Sequence, residues 1–400
     1  MPTLILAIAE LFGTALWFTP NAVLADLQAL WRLSDADLGW LTGAVQCGFL
    51  LGTLLIGLGG LADRLDASRL FAACCLLGAL SNALLPWAGG LWGAVGLRVI
   101  TGMCLAGIYP VGMKLMVGWT PGKSGLGLAW LVGMLVLGTA LPHGLRGLGE
   151  LSAGIPWQGG IWGASLLAVA GGAMVWRLGE APAVRQAKQH AGGPGARLAG
   201  LEAFSIDGFR RAASAYFGHM WELYTLWALL PLMLLAAAPG LDTARLALLA
   251  FALIAVGGPA CWLGGALSQR YGSRRVAQLG LAGSALCCLA YPWAGPLLAP
   301  TLEGGSLLPL ALFLALWSAL AVIDSPQFSA LSAAACPARI VGSALTLQNA
   351  IGFAISMLSL IVLIPLWQAL GAWLAWLLLP GPLVGLWCLR HASLQAKPTE

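Results

Sequence analysis

The chain is a succession of long apolar stretches separated by short polar interruptions. A helix crossing about 30 Å of hydrocarbon needs about 20 mostly apolar residues. Twelve stretches qualify, at roughly 4–30, 38–60, 69–87, 90–117, 123–148, 156–178, 210–236, 243–268, 273–295, 306–334, 338–364 and 367–390. The one long connection runs from Gly179 to about Phe209. It holds Glu180, Arg185, Lys188, His190, Arg197, Glu202 and Asp207, with Gly-Gly-Pro-Gly at 192–195, a polar and breaker-rich composition. The pattern predicts an all-α polytopic membrane protein of twelve transmembrane helices. Its parts are a six-helix bundle over 1–178, a cytoplasmic linker over 179–209, a second six-helix bundle over 210–391 and a cytoplasmic tail over 392–400.

Composition closes the alternatives. Of 400 residues, 60% are hydrophobic and 9% are charged, against about 45–50% and about 25% in a soluble domain. Twenty Lys+Arg and 15 Asp+Glu cannot cover a water-soluble surface of this size. Disorder, collagen, a soluble enzyme domain and a nucleic-acid binder are excluded. The 54 glycines suit helices that approach closely in a membrane. With the N-terminus in the cytoplasm, 15 of the 20 cations fall at the inner side. Arg32, Arg146 and Arg245 fall outside, and Arg98 and Lys114 lie within spans, which accounts for all 20. The net charge of +5 therefore reads as orientation: a multi-pass protein of the cell inner membrane with both termini cytoplasmic.

The chain also repeats itself. Gly59, Leu61, Arg64 and Arg69 recur as Gly265, Leu267, Arg270 and Arg275 at an offset of 206. Glu10-Leu11-Phe12 recurs as Glu222-Leu223-Tyr224, and Pro110, Pro121 and Lys123 recur as Pro326, Pro337 and Arg339 at an offset of 216. Drifting offsets are what a duplicated six-helix unit with altered loops gives. An even number of helices per unit sets both halves in the same orientation, related by an axis along the membrane normal.

The loop Gly59-Gly-Leu-Ala-Asp-Arg64 between spans 2 and 3, with its counterpart between spans 8 and 9, resembles the signature loop of the major facilitator superfamily. Arg98-x-x-x-Gly102 in span 4 resembles a second motif of that family. Asp66 stands where the loop usually has glycine, and Ala67-Ser68 replace basic residues. Gly133, Gly138 and Pro142-His143-Gly144 in span 5 loosely resemble the glycine-proline motif of antiporters. Gly218-His219-Met220-Trp221-Glu222-Leu223-Tyr224 is similar to bacterial members grouped with nitrate/nitrite porters. Spans 2 and 8 carry no interior arginine to bind that anion, so nitrate is rejected.

The resemblance implies a secondary active transporter, moving a small organic solute by alternating access and coupled to protons. It implies a cytoplasmic latch at Asp63 and Arg64, with Arg69, Arg270 and Arg275 in the same loops; Gln269 removes the acidic partner beside Arg270. It also implies that spans 1, 4, 7 and 10 line the central path.

Buried charges carry the sharper signal, since each costs at least about 2.5–3.5 kcal/mol at a helix centre. Glu222 in span 7, Asp324 in span 10 and Glu10 in span 1 are candidate proton sites, with a neutral, hydrogen-bonded carboxyl as the plain alternative. His219 precedes Glu222 by one helical turn and is a candidate relay. Arg98 must find a buried partner, either in coupling and substrate neutralisation or in a fixed interhelical ion pair. Arg98 and Tyr109 lie within about 20° on span 4 at 100° per residue. Trp17 and Asn21 share a stripe with Glu10, Trp317 and Gln327 share a side with Asp324, and Asn349 shares a face with Ser356. With Trp221 and Tyr224 on span 7, these are the candidate solute-binding residues, and they suit a neutral, zwitterionic or amphipathic compound before a simple anion.

Neither a metal nor a cofactor is expected. The nine cysteines lack metal-ligand spacing, and the P-loop, H-E-x-x-H and G-x-S-x-G patterns are absent, so the chain is not read as an enzyme. The expected partners are a small-molecule solute, protons and the lipid bilayer, with no nucleic acid, and the expected state is a monomer. An efflux antiporter, a lipid flippase and a transport-dead sensor on the same bundle remain as rivals.

Overall fold

In the computed structural model the chain is described over residues 1–59, 61–120, 124–182, 199–300, 305–337 and 340–390. Nine stretches among them are long and apolar enough to cross a membrane, and the last, Val341–Arg390, holds both span 11 and span 12. The shorter apolar helices Pro2–Thr14 and Ala67–Ala83 occupy spans 1 and 3, which brings the sum to twelve.

Several spans are not single helices, and the interruptions have local causes. Span 1 runs as Pro2–Thr14, Thr19–Ala22 and Leu24–Trp31. Pro20 has no N–H to give to the preceding turn, and the Thr14 hydroxyl donates back to the Glu10 carbonyl at 2.7 Å. Span 4 runs as Leu91–Ala106 and Tyr109–Trp119, span 10 as Leu308–Val322 and Ser325–Ala335. Those two breaks precede Pro110 and Pro326, the prolines related by the 216-residue repeat. Asp324 therefore sits at the break in span 10, where the first half has Ile108. Span 2, Asp35–Thr53 with a wider turn Leu54–Leu58, starts on a capping box in which the Ser34 N–H donates to the Asp37 carboxylate at 2.8 Å.

The packing repeats as the sequence does. Span 3 (Ala67–Ala83) lies on span 6 (Gln158–Leu178), and span 9 (Ser273–Leu298) lies on span 12, which ends in Pro380–Arg390. Span 2 packs on span 4, where Gly48 meets the Val99 carbonyl and a Cβ on Gly48 would lie 2.9 Å from Gly102 Cα. Span 7 (Asp207–Ala237) packs on span 12 with Gly218 and Gly381 against each other's carbonyls. The halves meet along two seams, span 5 (Ser124–Ala153) on span 8 (Thr243–Ala255 and Gly257–Tyr271), and span 2 on span 11 (Val341–Leu363). A Cβ on Gly265 would lie 2.8 Å from Ala129, and one on Gly147 2.7 Å from Leu248. On the other seam Gly43 meets Ile361 and Gly57 meets Thr346. Both seams are shut at both ends.

Two braces at the helix ends repeat the symmetry in different chemistry. Glu180 is buried and accepts the Ala67 N–H at 2.7 Å, tying span 6 to the start of span 3. Arg274 at the start of span 9 donates to the Leu389 and Arg390 carbonyls of span 12 at 2.8 and 2.6 Å. Asp66 caps span 3 by accepting the Ser68 and Arg69 N–H groups at 2.9 and 3.1 Å, a physical reason for an acid where the family loop has glycine. Arg146 requires a correction. The sorting of cations by side counted it with the outer loops, but it lies buried inside span 5, paired with Asp26 at 3.2 Å and with Glu150.

Candidate transport site

The breaks in spans 1 and 10 place the candidate charges. Where span 1 is interrupted, its carbonyls lose their helical donors. Arg98, 1% exposed, fills that gap by donating to the Leu16 carbonyl at 3.1 Å, the Trp17 carbonyl at 2.5 Å and Asn82 Oδ1 at 3.1 Å. It pairs with no carboxylate among the described residues, so the fixed ion pair, one of the two readings of Arg98, is not what the structure holds: Arg98 braces backbone. Asn82 in turn donates to Ser165 Oγ at 3.0 Å, linking spans 3, 4 and 6 behind the break.

Glu10 lies fully buried and neither carboxylate oxygen has a hydrogen-bond partner. It points into the first bundle, against the bare backbone of Gly112 in span 4 and beside Phe71. Its repeat partner Glu222 has the opposite surroundings. The Glu222 Oε1 accepts from Ser284 Oγ, from Trp317 Nε1 at 2.9 Å and from Cys288 Sγ at 3.4 Å. Trp317 Nε1 also lies 3.1 Å from Ser284 Oγ. Thus one acid of the duplicated pair is enclosed without partners, and the other is held by spans 9 and 10.

One turn before Glu222, His219 Nδ1 stands 3.0 Å from Asp324 Oδ1, both side chains 2% exposed or less. The separation is that of an ion pair, and His219 Nε2 has no partner. The imidazole is stacked on Tyr216, 6.1 Å between ring centres, and tilted on Phe328 at 5.3 Å. Three ionisable side chains, from adjacent turns of span 7 and the break of span 10, are thereby gathered inside the second half. Among the described residues no group of three or more His, Cys, Asp or Glu side chains is arranged to hold a metal ion.

Across the seam between halves lies an aromatic belt. Trp17 of span 1 stacks on Tyr224 of span 7 at 5.6 Å and touches Phe49 of span 2 and Phe353 of span 11 at 5.1 and 5.6 Å. Phe49 and Phe353 are 4.0 Å apart. The belt brings together two of the expected solute-binding residues, Trp17 and Tyr224. Asn21 donates to Thr42 Oγ1 at 3.2 Å on the flank of the belt. Gln327 is buried, and Tyr109 and Asn349 are half-buried. Two other expectations need correcting. Trp221 turns to span 12, donating to the Leu377 carbonyl at 2.8 Å, and Trp317 commits its N–H to Glu222 and Ser284 rather than to the seam. Helical spacing identified their positions but not which neighbour each ring would meet. Ser356, read from the sequence as sharing a face with Asn349, and Gln46, which sequence reasoning missed, are both fully buried without partners; Gln46 repeats the polar periodicity of Thr42 one turn on.

A family model described as Major Facilitator Superfamily matches residues 5–389. The chain belongs to the major facilitator superfamily. Its fold is similar to a partially occluded, inward-open conformation of the xylose transporter XylE from E. coli, with a TM-score of 0.74 at 12% identity over 97% of this chain and 95% of that one. It is similar, too, to the proton:xylose symporter XylE bound to 6-bromo-6-deoxy-D-glucose, with a TM-score of 0.73 at 13% identity over 97% and 93%. At such identities the likeness is one of fold. In sequence, the niacin transporter NiaP of Acinetobacter baylyi is 31% identical over 144 residues, 34% of this chain and 32% of that protein. The match thus spans about a third of the relative's length.

Within this superfamily frame the loop residues can be placed. Leu61–Arg64 forms a single helical turn between spans 2 and 3. The Arg64, Arg69 and Arg275 side chains are exposed, and Arg270 sits 5.4 Å from the ring of Tyr271. The Asp63 side chain, Lys123, Arg339, most of the linker and the 392–400 tail lie outside the described residues.

Proposed function

We propose that the protein is a proton-coupled secondary transporter of a small organic solute, working by alternating access in the cell inner membrane with both termini cytoplasmic. The observation that carries this reading is the cluster of His219, Asp324 and Glu222. A carboxyl deep in a bundle is expensive unless paired or neutral. A histidine 3.0 Å from it supplies the proton acceptor that makes the charge conditional. One proton taken up between Asp324 and His219 cancels the buried carboxylate charge, and because Asp324 occupies the break in span 10, this alters how the half-helix Ser325–Ala335 is held against span 7. Glu222, one turn away, offers a second protonation position. In this reading, rocking of the halves about the two seams exposes the cluster alternately to the two sides. Arg64, Arg69, Arg270 and Arg275, together with Asp63, form the cytoplasmic latch, and the transporter acts as a monomer. Support from the comparisons is that a protein of the same fold is a proton:xylose symporter.

Proteoliposomes carrying an internal pH-reporting dye test the proposal, with nicotinamide, niacin and D-xylose as solutes. At least one solute is expected to drive a pH change that is lost in Glu222→Gln and Asp324→Asn and kept in Arg245→Ala. No proton movement with any of the three, or uptake that continues at the wild-type rate in both acid variants, refutes the coupling.

A further inference from the structure

The belt between the halves contains polar atoms that its own rings leave unpaired. Trp17 is 0% exposed, yet its Nε1 has no hydrogen-bond partner. Gln46, also 0% exposed, has neither its oxygen nor its nitrogen paired, and the same holds for the Ser356 hydroxyl. Buried polar groups are nearly always satisfied, and leaving one bare costs about 1–3 kcal/mol. Such groups at one level of one interface call for a partner that is not part of the chain.

That they share a level follows from the seam. Spans 2 and 11 run antiparallel, with Gly43 against Ile361, Phe49 against Phe353 and Gly57 against Thr346. This register sets Gln46 opposite Ser356, one turn from the Phe49–Phe353 contact, where Trp17 also meets both phenylalanines. The rings come from both halves, Trp17 and Phe49 from the first, Tyr224 and Phe353 from the second. Movement of the halves therefore opens their faces to whatever passes between.

Charge and polar capacity decide the class of occupant. The cation nearest to the Trp17 backbone, Arg98, is already committed to the Leu16 and Trp17 carbonyls and to Asn82. An anion entering the belt would thus be buried with no free cation beside it among the described residues, at a cost of several kcal/mol. A sugar carries a hydroxyl on nearly every carbon, while the belt offers three side chains with open polar valence among four ring faces. A flat ring meets these terms, because its faces replace ring–ring contacts and a polar edge reaches the indole N–H, the amide and the hydroxyl.

We propose that the belt of Trp17, Phe49, Tyr224 and Phe353, with Gln46 and Ser356, is the solute site and takes an uncharged, flat aromatic or heteroaromatic compound with a carboxamide-like edge. The inference rests on the transporter reading and narrows its solute, but it does not depend on proton coupling.

Calorimetric titration of the detergent-solubilised full chain tests it, with nicotinamide and benzamide against nicotinate, benzoate and D-xylose. Both amides are expected to bind, at least tenfold more tightly than the matching acids or xylose. Gln46→Leu and Trp17→Phe, which keeps a ring and removes the N–H, are each expected to weaken the amides tenfold or more. Ser356→Ala, the smallest change, gives a weaker loss of threefold or more and serves if either larger variant does not fold. Failure of both amides to bind, acids or xylose binding as tightly, or amide affinity unchanged in the folded variants overturns the assignment. Amide binding without solute-driven proton movement upholds this site and refutes the coupling. Proton movement driven by xylose alone does the reverse.

Discussion

Replacing Arg98 distinguishes a backbone brace from a transport charge. In Arg98→Met the Leu16 carbonyl, the Trp17 carbonyl and Asn82 Oδ1 all lose a donor. The Trp17 carbonyl and Asn82 Oδ1 are left stranded at about 1–3 kcal/mol each, the Leu16 carbonyl keeps only the Thr19 hydroxyl at 3.1 Å, and removing a buried guanidinium returns part of this loss as desolvation. The net expectation is a loss of about 2–4 kcal/mol. Arg98→Lys keeps the buried charge while exchanging a planar fork of five donors for a compact ammonium. It returns no desolvation and satisfies fewer acceptors, so it is expected to cost at least as much as Met.

The nine cysteines provide the assay. All are free, and Cys74, Cys75 and Cys104 are buried in the first half, so a thiol-reactive fluorophore reports its unfolding on heating. About 2–4 °C per kcal/mol applies to a domain of 150–250 residues, which sets the expected fall for Arg98→Met at about 4–16 °C. A melting temperature within about 2 °C of wild type, or a Lys variant clearly more stable than Met, would show that Arg98 does not hold the broken turn of span 1.

Other expectations follow from single contacts. Gly48→Ala forces a methyl into the Val99 carbonyl and toward Gly102; overpacking of this kind costs about 1–3 kcal/mol or more, and loss of the monodisperse peak in size-exclusion chromatography reads it. Glu10→Gln replaces an unpaired buried carboxyl by a neutral isostere, so the melting temperature is expected to hold or rise. A fall of more than about 5 °C would mean that Glu10 has a stabilising partner as a carboxylate. Arg146→Leu leaves Asp26 and Glu150 facing each other without their cation and is expected to lower stability by about 1–2 kcal/mol, a change that added salt reduces by screening the two acids, measured by the same thermal scan.

The twelve spans, the duplication and the superfamily were legible because each rests on a property of the chain alone, apolar length or repeated spacing. The prolines of the 216-residue repeat were visible in the same way, and the breaks they cause in spans 4 and 10 lie at the level of Ile108 and Asp324. What periodicity withheld was the choice among neighbours. A residue on the inner face of span 7 can meet span 9, 10, 11 or 12: Glu222 meets spans 9 and 10, while Trp221, adjacent in sequence, rotates about 100° away and meets span 12. Arg146 was misplaced because a lone arginine near a predicted span end looks like a loop cation. Its two acids lie 120 and 4 residues away, and only the nearer could have been noticed.

The duplicated halves have kept their frame and diverged in their chemistry. Glu10 and Glu222 occupy the repeat in spans 1 and 7, yet only the second is enclosed by donors. Ile108 and Asp324 occupy the repeat in spans 4 and 10, yet only the second can ionise. The first half instead spends one of its buried cations, Arg98, on the backbone of its own broken helix, beside the ring of Trp17 that it offers to the seam. The partnered ionisable groups, His219, Asp324 and Glu222, thus lie together in the second half, while the first half contributes rings, a rigid turn and the unpartnered Glu10. If a solute binds between the halves, a protonation event at Asp324 needs no wire to reach it: span 7 carries His219 and Glu222 on one stretch and Tyr224 two residues further on, so a shift of span 10 against span 7 moves the belt directly.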